Sequence, residues 1–132
     1  MWTEHILNPL IIKSIFKDEI PSLKQIKMQR MNLDFGADLL CRLYFDLKDF
    51  PISVPTKWLK RKCNTLQFHL SLTNSTFTTL SMQGGATVGD LEINFMNQQF
   101  EFEFKNSDGK VHFIGSAKWI DVSEISAYTN QL

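Results

Sequence analysis

Three side chains in the second half of the chain have the types and the spacing for acid–base or metal chemistry. If Asn97-Gln98 forms a two-residue hairpin turn, Glu92 lies directly opposite Glu103 on the paired strand. The next predicted turn then brings His112 to the other side of Glu103. Two carboxylates and an imidazole at this spacing could transfer protons or hold a metal ion, so an enzyme that uses Glu92, Glu103 and His112 is one hypothesis.

The same residues have two interpretations that need no reaction. They could form a solvated sheet face on which Lys105 and Lys110 share the charge of the glutamates. They could also form an acidic stripe that binds cations of a protein partner. We rank these surface interpretations above the enzyme, because a cluster of titratable side chains is by itself only weak evidence of a reaction site.

Sequence motifs of common enzyme classes are absent from the chain. It contains no glycine-rich phosphate loop, no His-Glu-x-x-His, no Cys-x-x-Cys and no Gly-x-Ser-x-Gly. Cys41 lies in an apolar alternation and Cys63 follows a basic run, so we expect two free thiols rather than a disulfide. We therefore predict that the protein is not an enzyme and has no catalytic residue, no metal and no cofactor.

One basic cluster surrounds Trp58. Lys57, Lys60, Arg61 and Lys62 flank the indole, a composition that also occurs on nucleic-acid-binding surfaces. The whole chain has 14 basic and 14 acidic side chains, which leaves no net charge to attract a polyanion, so we expect no nucleic-acid partner. We interpret Trp58 as a ring packed on the sheet. It is also the second place where a protein partner could bind, since an aromatic ring flanked by cations is a common anchor.

Alternating bulky rings define the elements that must position these side chains. Between residues 91 and 117 phenylalanines alternate with polar residues, which indicates strands with one buried and one wet face. Turns at Asn97-Gln98 and at residues 106–109 put the rings of three strands on one face. The predicted cross-strand pairs are Phe95–Phe100, Ile93–Phe102, Leu91–Phe104, Phe104–Val111 and Phe102–Phe113.

The wet face of these strands carries the charged side chains. Glu92 and Glu103 repel each other across the predicted ladder, which destabilises a sheet unless something else uses the charge. This face is therefore a candidate surface for a protein partner. The candidate partner-binding residues are Asp90, Glu92, Glu101, Glu103 and His112, with Trp58 elsewhere.

The rest of the chain is predicted from helix caps, turns and the same alternation. A helix is predicted over residues 9–17 with Asn8 as its N-cap, and its apolar stripe is Leu7, Leu10, Ile11 and Ile15. A strand over residues 23–33 needs a bulge near Gln29-Arg30, and a second strand follows over residues 39–47. A turn at Asn74-Ser75 would separate two further strands, and residues 123–128 would form a short helical turn.

These elements predict a single domain over residues 1–132 with an α+β fold that is mainly β. We expect a largely antiparallel sheet of about seven strands, strongly twisted or partly barrel-like, with an N-terminal helix packed on it and a short C-terminal helical turn. A barrel with a cavity lined by phenylalanine would suit a carrier of lipids or small molecules. The Phe face has no polar group to hold a head group, so the carrier is the alternative hypothesis.

Membrane and secretion signals are also absent. No apolar run approaches the roughly 20 residues that span a bilayer, and the N-terminus lacks the basic flank and apolar stretch of a secretory signal. We expect a cytoplasmic protein that does not bind a membrane. Neither composition nor motifs indicate an oligomeric state.

Two segments resemble a known family. They are residues 15–23, Ile-Phe-Lys-Asp-Glu-Ile-Pro-Ser-Leu, and residues 51–58, with the spacing Pro-x-x-x-Pro-x-x-Trp. With the early Trp2 and the strand-rich remainder, they resemble the immunity protein fifty family of bacterial polymorphic toxin systems. The resemblance implies a cytoplasmic antitoxin, encoded beside its toxin, that binds and blocks the toxin domain without chemistry of its own. The matching positions, which are implied to be structural, are Phe16, Pro21, Leu23, Pro55 and Trp58.

Overall fold

Six β-strands and two short helices make up the residues that the structure describes. The structure is a computed structural model that describes residues 2–17, 19–51, 54–84 and 87–130. In this part of the chain no helix is long and apolar enough to cross a lipid bilayer. The elements are α1 (Pro9–Phe16), β1 (Ile26–Phe35), β2 (Leu39–Asp46), α2 (Thr56–Lys60), β3 (Thr65–Met82), β4 (Thr87–Met96), β5 (Gln99–Asn106) and β6 (Val111–Tyr128).

The strands pair in a closed order. Every pairing is antiparallel, and the order is β1-β2-β3-β6-β5-β4 with β4 returning to β1. The ring closes through a short contact in which residues 26–28 of β1 pair with residues 87–89 of β4. The predicted antiparallel sheet is therefore confirmed.

The barrel interior is filled by the apolar side chains that alternate along the strands. Phe104 and Phe113 stack with their ring centroids 5.4 Å apart, and Phe102 meets Phe113 edge to face at 6.1 Å. Burial of one such side chain contributes about 1.5–3 kcal/mol. These rings occupy the space in which a carrier would hold its cargo. Phe95 is the exception on the predicted core face, because it stays 41% exposed and stacks on His5.

The prediction of seven strands is wrong because β3 is one continuous strand. Asn74-Ser75 does not reverse the chain, and β6 pairs with β3 on both sides of it. Asn74 has a φ of 55°, and the Ser75 hydroxyl donates a hydrogen bond of 2.6 Å to the carbonyl of Leu72. The residues typical of a turn thus change the backbone only locally, and the pairing with β6 continues on both sides of them.

The predicted C-terminal helical turn is also wrong. Residues 123–128 continue β6, because they pair with the beginning of β3 from Thr65↔Tyr128 to His69↔Glu124. Ser123, the predicted helix cap, donates its hydroxyl to the carbonyl of His69 at 3.0 Å. A long-range strand partner has therefore overridden a weak local signal for helix.

The β4–β5 register is confirmed, whereas the β5–β6 register is shifted by two residues. Phe102 lies opposite Gly115 and Phe104 opposite Phe113. The shift lengthens the loop, in which the Asn106 side chain accepts a hydrogen bond from the Val111 amide at 3.1 Å. A Cβ on Gly115 would lie 2.7 Å from the Cζ of Phe102, so the ring needs the glycine beside it. A shift of two keeps every side chain on its predicted face.

Helix α1 packs on the barrel with Ile11 and Ile15 of its predicted stripe, but without Leu7, Leu10 or the predicted cap. Its buried residues are Ile12, Ile15 and Phe16, and the Phe16 ring meets Phe68 at 6.1 Å. Leu7 and Leu10, both predicted in the stripe, are 61% and 74% exposed. Asn8 makes no capping bond. Its side chain instead pairs with the backbone of Val122, accepting from N at 3.0 Å and donating to O at 2.7 Å.

Candidate functional site

The hairpin of β4 and β5 positions the predicted partner-binding face. Asn97 and Gln98 both have positive φ, of 55° and 64°, which matches the twist of a tight two-residue hairpin. The turn fixes the register, so the phenylalanines point inward and the residues between them point to solvent. We call the outward set the acidic face: Asp90, Glu92, Glu101, Glu103 and the adjoining His112.

Two glutamates of the acidic face oppose each other directly, as predicted. Glu92 is the cross-strand neighbour of Glu103, and Glu101 lies one pair further along, opposite Asn94. Neither the Glu92 nor the Glu101 side chain has a hydrogen bond or an ion pair to another described residue. Like charges at this spacing destabilise the ladder, so the hairpin carries negative charge that the fold does not use.

Glu103 is hydrogen-bonded to His112. The imidazole Nε2 lies 2.7 Å from Glu103 Oε2, with the two side chains 27% and 44% exposed. The predicted register puts His112 directly opposite Glu103. In the structure it pairs with Lys105 after the register shift, so it lies diagonal to Glu103. The contact between the two side chains survives the shift because long side chains reach a diagonal neighbour.

Asp90 has a structural contact that its sequence position did not indicate. Its Oδ1 accepts a hydrogen bond of 2.9 Å from the backbone N–H of Gln25, which has a φ of 55°. The carboxylate thus supports the turn that leads into β1. Lys105 lies opposite Asp90 in the ladder, so this end of the acidic face is less negative than the end with Glu92 and Glu101.

Within the trio of Glu92, Glu103 and His112, the last two form a hydrogen-bonded pair, and Glu92 lies across the hairpin from it. Among the described residues, no group of three or more His, Cys, Asp or Glu side chains is arranged to hold a metal ion. His112 contacts Glu103, while Glu92 lies on the far strand of the hairpin. This arrangement can present charge to a partner without any further group.

Trp58 lies within the fold rather than on its surface. It is 6% exposed in α2, and its ring lies 6.4 Å from that of Phe50. The flanking lysines and Arg61 are exposed around it. Of the two interpretations of Trp58, this position fits the one in which the ring packs on the barrel. We therefore leave Trp58 out of the proposed contact surface.

A second polar cluster, which the sequence analysis missed, lies on the outer side of β1, β2, β3 and the end of β6. The buried Asp46 carboxylate accepts hydrogen bonds from Gln29 Nε2 at 2.7 Å and Gln67 Nε2 at 3.2 Å, and from the Tyr128 hydroxyl. We call these four residues the Asp46 network. Burial, together with the bond to Asp46, raises the pKa of Tyr128 to about 12. No described buried side-chain N or O lacks a partner.

Aromatic and charged groups extend the Asp46 network along the same surface. His69 Nε2 lies 2.9 Å from Gln67 Oε1, and His69 Nδ1 lies 3.0 Å from Glu124 Oε2. Tyr44 meets the His69 ring edge to face at 4.5 Å, and Arg30 lies over Tyr44 at 5.3 Å. The predicted bulge near Gln29-Arg30 is confirmed between Met28 and Arg30. It was the one sequence signal for this cluster, because it contains Gln29 and Arg30.

The two segments that carry the family resemblance meet in the structure. The Trp2 indole donates a hydrogen bond of 3.2 Å to the carbonyl of Pro21. Pro21 and Pro51 line one pocket with Phe16 and Phe50. Of the positions implied to be structural, Phe16, Pro21, Leu23 and Trp58 are buried, and Pro55 is exposed.

A comparison with protein families finds one match. A family model described as Immunity protein 50 matches residues 8–128, a range that includes both resembling segments and the whole acidic face. No curated protein and no solved structure matches the chain. The family match covers most of the chain and confirms the resemblance.

Proposed function

The chain belongs to the Immunity protein 50 family, and we propose that it is a non-catalytic antitoxin that binds a cognate toxin domain and blocks it. Family membership supports the immunity role. The toxin is encoded beside the antitoxin in this proposal, and the two meet in the cytoplasm of the producing bacterium. The antitoxin then protects the cell by occupying the toxin rather than by altering it chemically.

The unused charge of the acidic face supports its role as the binding surface. The side chains of Glu92 and Glu101 have no hydrogen bond or ion pair to another described residue, and Glu92 opposes Glu103 at a cost to the sheet. A basic partner would remove this cost on binding. A nuclease toxin, whose active site must bind a polyanion, presents such a basic surface.

Charge reversal of the acidic face tests the surface. Surface charges chiefly raise the association rate and are screened by salt. Reversal of Glu92, Glu101 and Glu103 to Lys should therefore slow association with the purified toxin domain about tenfold or more at low ionic strength. The difference should shrink as salt is added. Rapid-mixing kinetics at several salt concentrations measure both effects.

A matched control separates the local surface from the net charge. Reversal of Glu19, Asp38 and Asp49 to Lys changes the net charge equally, and these three side chains are exposed outside the acidic face. This variant should associate almost as fast as the unaltered protein. If both triple variants slow association equally, the interface lies elsewhere. Unfolding curves establish that each variant remains folded.

Co-expression tests the function itself. Cells that produce the toxin domain should survive with the unaltered chain and lose protection with the triple reversal of the acidic face. A toxin domain that neither forms a complex with this chain nor is silenced by it would contradict the proposed antitoxin role.

A further inference from the structure

Trp119 is a large apolar side chain that the fold leaves on the surface. Gly115 and Ala117 are buried positions of β6, so a strict alternation would put residue 119 in the core as well. Ile120 takes that place instead, and Trp119 is 42% exposed on the outer side of the strand. In β3 the matching position is Asn74, whose φ of 55° marks the same break in the alternation. The backbone of both strands thus turns the indole outward.

The outward indole still has contact area and a donor available for a partner. Lys118 Nζ lies 4.6 Å from the centroid of the Trp119 ring, so the ammonium group lies over one face of it. The indole N–H of Trp119 has no acceptor among the described residues, whereas that of Trp2 donates to the carbonyl of Pro21 at 3.2 Å. Tryptophan combines a large apolar area with one donor, and for this reason it is common at protein interfaces.

The β5–β6 ladder places Trp119 on the same outer surface as the acidic face. Glu101 pairs with Ser116, and both side chains face outward. Trp119 follows Ser116 by three residues, which is about 10 Å along a strand. An ordinary protein interface is wider than this distance, so one partner reaches the indole and Glu101 together.

Met96 adds a second exposed apolar side chain at the end of the hairpin. It is 50% exposed and follows Glu92, after one intervening position, in the outward series of β4. Phe95 points to the other side of the strand and stacks on His5 at 4.1 Å, so we leave it out. We call Met96 and Trp119 the tip pair. Its members continue the acidic face, where the Glu92 carboxylate has no hydrogen bond or ion pair to a described residue.

We propose that the toxin-binding surface extends from the acidic face to the tip pair, and that Trp119 inserts into an apolar depression beside the basic surface of the toxin domain. The inference rests on the proposed antitoxin function and makes its partner more specific. Charge complementarity selects this partner, because the cations that meet Glu92 and Glu101 bring the neighbouring depression over the indole. The glutamates raise the association rate, whereas the desolvated indole slows dissociation.

Substitution of the indole tests the anchor. Trp119→Ser should raise the dissociation rate of the complex with the purified toxin domain at least about tenfold and change the association rate less than about twofold. This effect should persist as salt is added, because apolar contacts are not screened. Phe35→Ser is the matched control. Its ring is 85% exposed where β1 ends, away from the β4–β5 hairpin, so both rates should stay unchanged.

Fluorine NMR of the complex tests the same contact without removal of the side chain. In a chain labelled with 5-fluorotryptophan, the three tryptophans give three resonances, which single substitutions to phenylalanine assign. On binding of the unlabelled toxin domain, the Trp119 resonance should shift and lose its solvent isotope effect. The resonance of Trp58, which is 6% exposed, should change little.

The outcomes separate this inference from the function on which it rests. If the complex forms but Trp119→Ser dissociates at the normal rate, or the Trp119 resonance stays unchanged, the inference is overturned and the antitoxin role stands. A chain that forms no complex with the toxin domain would overturn both. A Trp119 resonance that shifts with the concentration of the chain alone would assign the tip pair to a second copy and also overturn the inference.

Discussion

On the β1–β2–β3 side of the barrel, the Asp46 carboxylate accepts three hydrogen bonds. On the β4–β5 side, the carboxylates of Glu92 and Glu101 accept none from another described residue. Both sets point outward from strands of the same sheet. Asp46 is 4% exposed and its charge is compensated by donors from three other strands. The glutamates remain in water, where charge is tolerated without a partner.

The difference separates two uses of a carboxylate. In the Asp46 network, the charge fixes the geometry of neighbouring strands, and removal of the acceptor leaves buried donors unpaired. On the acidic face the charge fixes nothing in the fold and even opposes the ladder. We therefore expect substitutions in the first cluster to reduce stability, and substitutions in the second to change association.

The largest loss should come from the core beneath both faces. Phe102 contacts Phe77 at 5.5 Å and Phe113 at 6.1 Å, and it is 2% exposed. Phe102→Ala should lower the free energy of unfolding by about 3–5 kcal/mol, because the lost ring leaves a cavity. Leu10→Ala, at a helix position that is 74% exposed, should change it by less than about 0.5 kcal/mol. Urea unfolding measures both values, and a loss below about 1 kcal/mol for Phe102→Ala would place the ring outside the core.

The next largest effect should distinguish the two faces directly. Asp46→Ala removes the acceptor of three hydrogen bonds and should lower the free energy of unfolding by about 2–3 kcal/mol. Glu101→Ala on the acidic face should change it by less than about 0.5 kcal/mol. Similar losses for the two variants, measured by urea unfolding, would remove the distinction between the faces.

A smaller effect should come from Tyr128. Tyr128→Phe removes one bond to Asp46 and should cost about 1–2 kcal/mol near neutral pH. Folding raises the pKa of Tyr128 from 10.0 to about 12, so the phenol stabilises the fold below pH 10 and loses this contribution as the pH rises through 12. The difference in unfolding free energy between the unaltered chain and the variant should therefore shrink over this range. A difference independent of pH would contradict the bond to Asp46.

The smallest effects should have opposite signs on the two faces. Glu92→Gln relieves the repulsion from Glu103 and should stabilise the chain by up to about 0.5 kcal/mol. Glu124→Gln removes the carboxylate that lies 3.0 Å from His69 Nδ1 and should destabilise the chain slightly. Thermal unfolding at low and high salt measures the pair, and salt should reduce both differences. A loss of stability in Glu92→Gln would indicate a partner for that glutamate within the fold.

The hairpin of β4 and β5 shows what can be predicted from residues alone. Its alternation has a period of two, and its turn is two residues long, so Phe102 can pair only with Ile93. The next loop was harder to predict because Asn106 uses its side chain to extend it. Gly115 was a sequence signal for the true register, since a strand glycine often lies beside a large ring.

The missed elements depend on distant partners. Asn74-Ser75 is a common turn sequence, and Ser123 is a common helix cap, yet both lie in strands that pair with each other along their length. Local preferences at these positions are worth less than a continuous ladder. The Asp46 network was missed for the same reason, because Tyr128 lies 82 positions from Asp46.

The sequence by itself determined which side chains of the β4–β5 hairpin face inward, with Phe95 as the exception, where the hairpin turns, and that its outer side is acidic. These features follow from a period of two and from short-range turn chemistry. Only the tertiary structure decided that β3 and β6 run unbroken beside each other, and that donors from three other strands reach the Asp46 carboxylate. Each of these depends on how the strands close into a ring, which joins residues far apart in the chain.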